Sequence, residues 1–385
     1  MDVLDRLPNA LGLTSLEVAS GFVFGSAKSG TEIHSTGLSP RDALEQIVLE
    51  RLSTSQVFVA FSGGRDSSAI LALATAVARR EGLPLPVPIS QRYTGIAEAD
   101  EREWQELVVR HLELDEWQCV LVEEETDVLG ELALDAVRRF GPLFPMFGHH
   151  MIPTYRAAAG GVLLRGEGGD EMFDDRRGVD ARRLVSRAAR KPTAANAKSL
   201  GFALAPARVR RRRPQNDGSE MFGWLTPDAR AEVTRSVDEY FASEPLRWKT
   251  YLCWLTRQRF VQVAHEMSAM VAAHEGTKVV DPLYEQLVLG ALTARRGHLG
   301  YKDRTHAYRE MFGDLLPERV ITRQSKASFN DAVFRQPSRT FAEQWDGTGL
   351  DEGCVDPDEL RREWASERPQ VGALALLQLI RLGMS

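Results

Sequence analysis

The chain has 385 residues, of which 43% are hydrophobic and 26% charged, a composition typical of a folded globular protein. Its formal net charge of −6 argues against a bulk nucleic-acid partner, and three widely separated cysteines argue against a disulfide framework or a zinc site. Because no secretory signal opens the sequence and no run of about 18 apolar residues occurs, we predict a cytoplasmic protein without a membrane partner.

The first segment, residues 1–44, is weakly patterned and is interpreted as a lead-in. Residues 21–25 have the composition of a short strand. A helix is predicted to begin at Pro40, with Ser39 as its N-cap, because proline is favoured at the first helical position.

A strand, a tight loop and a helix are predicted over residues 57–81. The apolar run VFVAF at 57–61 predicts a buried strand, and residues 66–81 have helical spacing. The glycines between them let backbone N–H groups approach an anion, and serine hydroxyls and a helix N-terminus add donors and partial positive charge. The loop therefore predicts a phosphate site, although it lacks the Gly-Lys-Ser/Thr ending of a P-loop. The candidate nucleotide-binding residues here are Ala60, Ser62, Gly63, Gly64, Asp66, Ser67 and Ser68.

The following segments continue the alternation of strands and helices. Strands are predicted over residues 84–90 and 118–122, and helices over 98–112 and 127–140. This alternation predicts a parallel sheet with helices on both faces, whose ligands lie at the carboxyl ends of the strands. Cys119 is expected to be buried in the third of these strands.

A second acidic, glycine-rich loop follows a fourth predicted strand at residues 161–165. Its sequence is GEGGDE, over residues 166–171. Before that strand, two prolines and two glycines predict a loop over residues 141–148, and a helix is predicted over 151–158. Two such loops at strand ends of one sheet indicate a shared site more sharply than either loop alone.

The alternation stops near residue 179. The arginine-rich stretch 208–213 is interpreted as a solvated loop, because blocks of like charge are usually exposed. A long helix is predicted over 247–275, and the tail from 357 to 385 is predicted to be helical. The predicted organisation is a lead-in at 1–44, an α/β core that contains the phosphate loop at 45–178 and a mainly helical part at 179–385.

The motifs carry a family resemblance over about residues 38–335. The loop SGGRDS resembles the pyrophosphate loop of the PP-loop ATP-pyrophosphatases, and GEGGDEMF at 166–173 resembles the GxGxDExF signature of the asparagine synthetase synthase domain. Downstream, residues 274–283 resemble that family's E-x-R-x-P-F-L-D segment, and residues 302–309, 315–320 and 323–329 resemble its K-x-x-L-R, LLP-E-x-V and R-x-K-x-x-F segments. The resemblance implies the PP-loop α/β fold with a mainly helical C-terminal part.

The resemblance also implies a reaction. A substrate carboxylate would attack the α-phosphorus of ATP, pyrophosphate would leave, and an amine would convert the acyl-adenylate to an amide and AMP. Asp66 and Asp170 would hold Mg²⁺, and Gly166 would contact the nucleotide. Glu167 would assist the amine in losing its proton, while Lys302 and Lys326 would neutralise phosphate charge.

The nitrogen source and the substrate stay open at this stage. Full-length relatives have a glutaminase nucleophile, a cysteine, at residue 2, where this sequence has Asp2. We therefore expect ammonia or an amine from elsewhere: free ammonia, a partner protein that supplies ammonia or carries substrate, or a substrate amine. Specialised natural-product biosynthesis is favoured, with an ammonia-using asparagine synthetase or an intramolecular macrolactam or lactam cyclase as alternatives. A tRNA-thiolating enzyme and a catalytically inactive ATP-binding subunit are less favoured.

Overall fold

A five-stranded parallel sheet lies at the centre of the computed structural model, which describes residues 7–27, 33–174, 176–211, 221–294, 298, 300–325, 329–350 and 353–383. The strands are β1 (Val57–Ala60), β2 (Val87–Tyr93), β3 (Gln118–Val122), β4 (Val162–Leu164) and β5 (Lys278–Val280). Their order in the sheet is β3-β2-β1-β4-β5, and every neighbouring pair is parallel. In the register, Val59 lies between Pro88 of β2 and Leu164 of β4.

Short helices connect these strands and extend beyond them. Up to residue 173 they are α1 (Ser15–Ser20), α2 (Pro40–Leu52), α3 (Arg65–Glu81), α4 (Arg102–His111), α5 (Glu131–Phe140), α6 (Ile152–Ala157) and α7 (Gly169–Phe173). The later helices are α8 (Arg177–Arg190), α9 (Ala194–Leu204), α10 (Ala207–Arg210), α11 (Pro227–Ser243), α12 (Trp248–Leu255), α13 (Arg259–His274), α14 (Gln286–Ala294), α15 (Arg304–Phe312), α16 (Glu318–Ile321), α17 (Asn330–Val333), α18 (Gln336–Gln344), α19 (Pro357–Trp364) and α20 (Val371–Gly383). Among the described residues, no helix is both long and apolar enough to cross a membrane.

Each face of the sheet is covered by its own hydrophobic cluster. Successive strand residues point to opposite faces, so Val59 and Leu164 pack with α2, α3 and α14, whereas Phe58 and Leu163 pack with α5, α6 and α13. Burial on both faces explains why β1 and β4 are continuous apolar runs. The predicted α/β fold, a parallel sheet with helices on both faces and a mainly helical C-terminal part, is confirmed.

The predicted long helix at 247–275 is wrong, because the chain leaves the helix between α12 and α13. Around residue 258 the backbone bonds instead with the segment after α1: Ala27 donates to the carbonyl of Arg257 at 2.8 Å, and Arg259 donates to that of Gly25 at 3.0 Å. The strand predicted at 21–25 is also absent, since Ser26 forms only an isolated bridge with Gln258. Helical spacing on both sides of the break concealed these long-range contacts.

The expected burial of Cys119 is wrong, and the expected exposure of the arginine-rich stretch 208–213 holds for Arg208 and Arg211 but not for Arg210; residues 212 and 213 lie outside the described residues. Cys119 is exposed, because β3 is the outermost strand and its residues alternate between exposed and partly buried. In the arginine-rich stretch, Arg210 is buried and donates to the carbonyl of Glu244 at 3.1 Å, while Arg211 pairs with Glu239 at 2.6 Å. Backbone carbonyls at the end of α11 therefore hold an arginine that charge patterning alone assigned to solvent.

Candidate active site

Two loops meet at the carboxyl ends of β1 and β4. Because these strands are parallel neighbours, the loop after β1 and the loop after β4 lie at the same edge of the sheet. Both loops line a cavity of about 500 Å³. Further lining residues come from β2, from residues 99–105 and 150–154, and from the C-terminal part, which contributes Arg304, residues 323–325 and Phe329.

The first loop is closed by its own serines. The amide of Ser62 donates to Oγ of Ser67 at 3.2 Å, and the two hydroxyls lie 3.1 Å apart. Gly63 has a φ of 81°, which a side chain would strain, and Gly64 caps α3 without a side-chain hydrogen bond. The first amides of this 17-residue helix are thus left for a ligand, as a phosphate site requires.

The second loop approaches the first so closely that only glycine fits. A Cβ on Gly166 would lie 2.6 Å from the backbone nitrogen of Ser67, and one on Gly169 would lie 2.0 Å from Oδ1 of Asp66. These are steric requirements, because no real Cβ approaches within 3.0 Å of another heavy atom in this way. The glycines of both motifs therefore bring Asp66 and Asp170 into one cluster.

Arg304 lies between the two acids. Its Nε donates to Oδ1 of Asp66 at 3.0 Å, its Nη2 bonds the other oxygen of Asp66, and its Nη1 bonds Oδ1 of Asp170. The backbone amide of Arg304 donates to Oδ1 of Asp174 at 3.2 Å. The other oxygen of Asp174 accepts from the guanidinium of Arg65 at 3.1 Å. Three carboxylates and two guanidinium groups thus form one ionic cluster beside the phosphate loop.

Asp66 is the least exposed of the three carboxylates in this cluster. Burial raises the pKa of its carboxyl above the ordinary value, while Arg304 and the hydroxyl of Tyr308 act in the opposite direction. The Tyr308 hydroxyl donates to Oδ1, so both oxygens of Asp66 accept hydrogen bonds. The guanidinium of Arg304 also lies 5.4 Å from the centre of the Tyr308 ring.

Whether magnesium fits here depends on Arg304. Carboxylate oxygens beside a phosphate site are donors that Mg²⁺ prefers, so the chemistry of Asp66 and Asp170 suits the ion. A guanidinium already bridges them, however, and the described residues contain no group of three or more His, Cys, Asp or Glu placed to hold a metal. The pair therefore fits Mg²⁺ once Arg304 releases it.

Glu167 projects into the cavity from the second loop. Its side chain is exposed to the solvent of the open cavity. Partial desolvation by the cavity wall raises the pKa of its carboxyl, and the nearby Asp281 acts in the same direction against Arg165 and His265. Arg165 itself makes a two-pronged, buried pair with Asp281, at 2.8 and 2.7 Å. Burial opposes ionisation of Asp281, but Arg165 and His265 (whose Nδ1 lies 2.8 Å away) lower its pKa to about 2.

A second buried ion pair supports the phosphate loop from the other side. Arg323 donates to the carbonyl of Gly63 at 2.8 Å and to Glu101 at 2.6 Å, and its guanidinium stacks 4.5 Å from the centre of the Trp104 ring. Arg323 belongs to the C-terminal part of the chain, and its hydrogen bond to Gly63 holds the turn of the phosphate loop in place.

The other end of the cavity is less polar. Tyr93 at the end of β2 packs against Phe329 at 5.5 Å between ring centres, and Met151 also lines this end. Burial lowers the pKa of the neighbouring His150, which favours its neutral form. An uncharged part of a substrate can therefore be bound beside the acidic loops.

Comparison with known proteins agrees with this geometry. A family model described as asparagine synthase matches residues 40–380. The chain belongs to the asparagine synthase family. A search of curated proteins found no match. Family membership supports an ATP-dependent ligase that forms a carbon–nitrogen bond.

Most of the residues that the sequence singled out meet in this asparagine synthase cavity. Those that line it are Ala60, Ser62, Gly64, Asp66, Ser67, Gly166, Glu167 and Asp170. Gly63 lies beneath the turn, and Ser68 is fully buried behind it. Lys302 is exposed and is not among the residues that line the cavity, and Lys326 lies outside the described residues.

Sequence reasoning missed several charged residues of the site. Arg304 and Tyr308 fall inside the stretch compared with K-x-x-L-R, where the residue four before Arg309 is Thr305 rather than Lys302. Arg65 donates to the Thr305 hydroxyl at 3.3 Å. The spacing of K-x-x-L-R, counted back from Arg309, was the sequence feature that could have indicated residues 304–308 as part of the phosphate site.

Proposed function

We propose that this protein activates a substrate carboxylate with ATP, releases pyrophosphate, and transfers the acyl group from the adenylate to ammonia or a substrate amine. AMP and an amide are the products, and specialised biosynthesis is the proposed context. One observation carries the proposal: two glycine-rich acidic loops, at the ends of adjacent strands β1 and β4, face one cavity.

The first loop suits the leaving pyrophosphate. Negative charge builds on it as the bond between the α- and β-phosphates breaks, and donors fixed in advance stabilise that charge most. The amides at the start of α3 and the hydroxyls of Ser62 and Ser67 are such donors. When bound by Asp66 and Asp170, Mg²⁺ would neutralise phosphate charge at this site.

Glu167 suits the second half-reaction. An amine that attacks an acyl-adenylate must lose a proton, and a carboxylate whose pKa is raised accepts that proton more readily than an ordinary one. Glu167 has both the raised pKa and a position on the cavity wall. It is the proposed base of amide formation.

The charges of the cavity favour an acid other than free aspartate. Each arginine among the described residues that line it has a carboxylate partner: Arg65 with Asp174, Arg165 with Asp281, Arg304 with Asp66 and Asp170, and Arg323 with Glu101. A second carboxylate on the substrate would have to displace one of these partners. The apolar end near Tyr93 and Phe329 suits an uncharged group instead.

ATP–pyrophosphate exchange tests the proposal. The purified chain is incubated with ATP, Mg²⁺ and labelled pyrophosphate against a panel of amino acids, peptides and other carboxylic acids, with hydroxylamine added in parallel to trap any acyl-adenylate as a hydroxamate. We expect exchange and a hydroxamate with an active acid, and AMP rather than ADP as the nucleotide product. ADP and phosphate as products would falsify the proposal, and ATP binding without exchange on any acid would favour an inactive ATP-binding subunit.

A further inference from the structure

Arg304 is held where the proposed function needs a metal ion. Its guanidinium bonds both oxygens of Asp66 and one oxygen of Asp170, and its side chain is only 7% exposed. A guanidinium has the charge and the planar fork that two carboxylates require, so it satisfies them without a metal.

The backbone of Arg304 is fixed independently of its side chain. Arg304 begins α15 after the N-cap Asp303, and its amide donates to Asp174 at 3.2 Å. The side chain is then free to exchange partners while the helix stays in place. The Tyr308 ring, 5.4 Å away, offers a surface over which the guanidinium can turn.

The phosphates of a bound triphosphate compete with Asp66 and Asp170 for the guanidinium of Arg304. Phosphate oxygens accept two parallel hydrogen bonds from a guanidinium as carboxylates do, and they bring more negative charge. Arg304 lines the cavity together with the open amides of α3, so phosphates bound at that loop come next to it.

We propose that Arg304 exchanges partners on nucleotide binding, from the carboxylates of Asp66 and Asp170 to the phosphates of ATP, and so makes the two acids available to a divalent metal only when nucleotide is present. Arg304 is thereby a phosphate-binding residue that fixes the order of binding. The inference rests on the proposed function, since it takes the cavity as an ATP site.

The test measures metal binding without turnover. Free Mn²⁺ is followed by electron paramagnetic resonance during titration of the full chain, with and without α,β-methylene-ATP, which cannot be cleaved between the α- and β-phosphates. We expect the wild type to bind Mn²⁺ at least tenfold more tightly with the analogue. Arg304→Gln should bind Mn²⁺ at least tenfold more tightly than the wild type when no nucleotide is present.

Arg65→Gln is the matched control. It removes the same charge from the same cavity, but Arg65 pairs with Asp174 and not with Asp66 or Asp170. Its nucleotide-free Mn²⁺ affinity should rise much less than that of Arg304→Gln, because Asp66 and Asp170 stay paired with Arg304. An equal gain in both variants would show that net charge alone is responsible and would overturn the proposal.

A second measurement uses nucleotide without metal. In EDTA, the wild type should bind the analogue at least tenfold more tightly than Arg304→Gln, because the guanidinium is then the cation at the phosphates.

If circular dichroism shows that Arg304→Gln does not fold, Arg304→Lys replaces it. Lysine keeps the charge but has no planar fork, and nucleotide-free Mn²⁺ binding at least threefold tighter than the wild type is expected.

Two further results would overturn the inference. One is wild-type Mn²⁺ affinity that does not depend on nucleotide, and the other is an Arg304 variant whose Mn²⁺ affinity equals that of the wild type. Neither measurement needs a carboxylate substrate or any turnover. Absence of pyrophosphate exchange alongside the expected Mn²⁺ pattern would therefore reject the proposed function and leave the role of Arg304 standing.

Discussion

The guanidinium of Arg323 donates a hydrogen bond of 2.8 Å to the backbone carbonyl of Gly63, 260 residues earlier in the chain. The same group pairs with Glu101, and both side chains are at least nine-tenths buried. One arginine from the C-terminal part therefore holds both the turn of the phosphate loop and the segment before α4.

Breaking this pair should be costly to stability. Arg323→Met leaves Glu101 as a buried charge without its partner, and we expect a loss of about 3–5 kcal/mol in the free energy of unfolding. Urea titration followed by circular dichroism measures it. The double variant Arg323→Met with Glu101→Met should recover much of the loss, and equal stability of the two variants would contradict the argument.

Removing either acid of the cluster should stop adenylation. Asp66→Asn and Asp170→Asn keep the shape of the side chain but remove a negative charge from the proposed metal site, and we expect pyrophosphate exchange to fall by about 100-fold or more. Asp135→Asn, on the exposed face of α5, is the control and should leave exchange unchanged. Near-normal pyrophosphate exchange in both Asp66→Asn and Asp170→Asn would contradict the assignment of these acids to the adenylation site.

Glu167→Gln should separate the two half-reactions. Exchange should be largely kept, while amide formation falls by about 100-fold, because a glutamine cannot accept the proton of the amine. Product analysis with a single active acid and a saturating amine compares the two rates in one sample. Equal losses in both steps would assign Glu167 to adenylation instead.

The pH dependence of the same step follows from the raised pKa of Glu167. A base must be ionised, so amide formation should increase with pH until Glu167 is deprotonated, at a pH above the ordinary glutamate value. The amine titrates too, and Glu167→Gln separates the two effects. An increase that is the same in the variant belongs to the amine and would remove the role given to Glu167.

Gly169 should not tolerate a methyl group. The Cβ of Gly169→Ala would lie 2.0 Å from Oδ1 of Asp66 and 2.5 Å from the Tyr308 hydroxyl, so we expect a loss of about 1–3 kcal/mol and of pyrophosphate exchange. Gly201→Ala in α9 is the matched control, since nothing lies within 4 Å of its Cβ. That variant should gain about 0.5–1 kcal/mol from helix propensity. Similar melting temperatures for the two variants would refute the steric argument.

The features that could be predicted from the sequence are those fixed by interactions between residues close together in the chain. The strand, the glycine loop and α3 follow one another within residues 57–81, so spacing and turn chemistry were enough to identify them. The cluster around Asp66 was not accessible in this way, because Arg304 lies 238 residues further along. The break before α13 and the exposure of Cys119 were missed for the same reason, since both depend on which segment or strand lies alongside.

The last strand of the sheet has a consequence for synthesis of the chain. Arg165 follows β4 directly and its partner Asp281 follows β5, 116 residues later, so at ribosomal elongation rates roughly 6–23 s separate their appearance. During that interval the edge of β4 that pairs with β5 has no partner strand, and Arg165 has no Asp281 to pair with. An unpaired strand edge can pair with another chain, so a product that ends before β5 keeps an edge open to association.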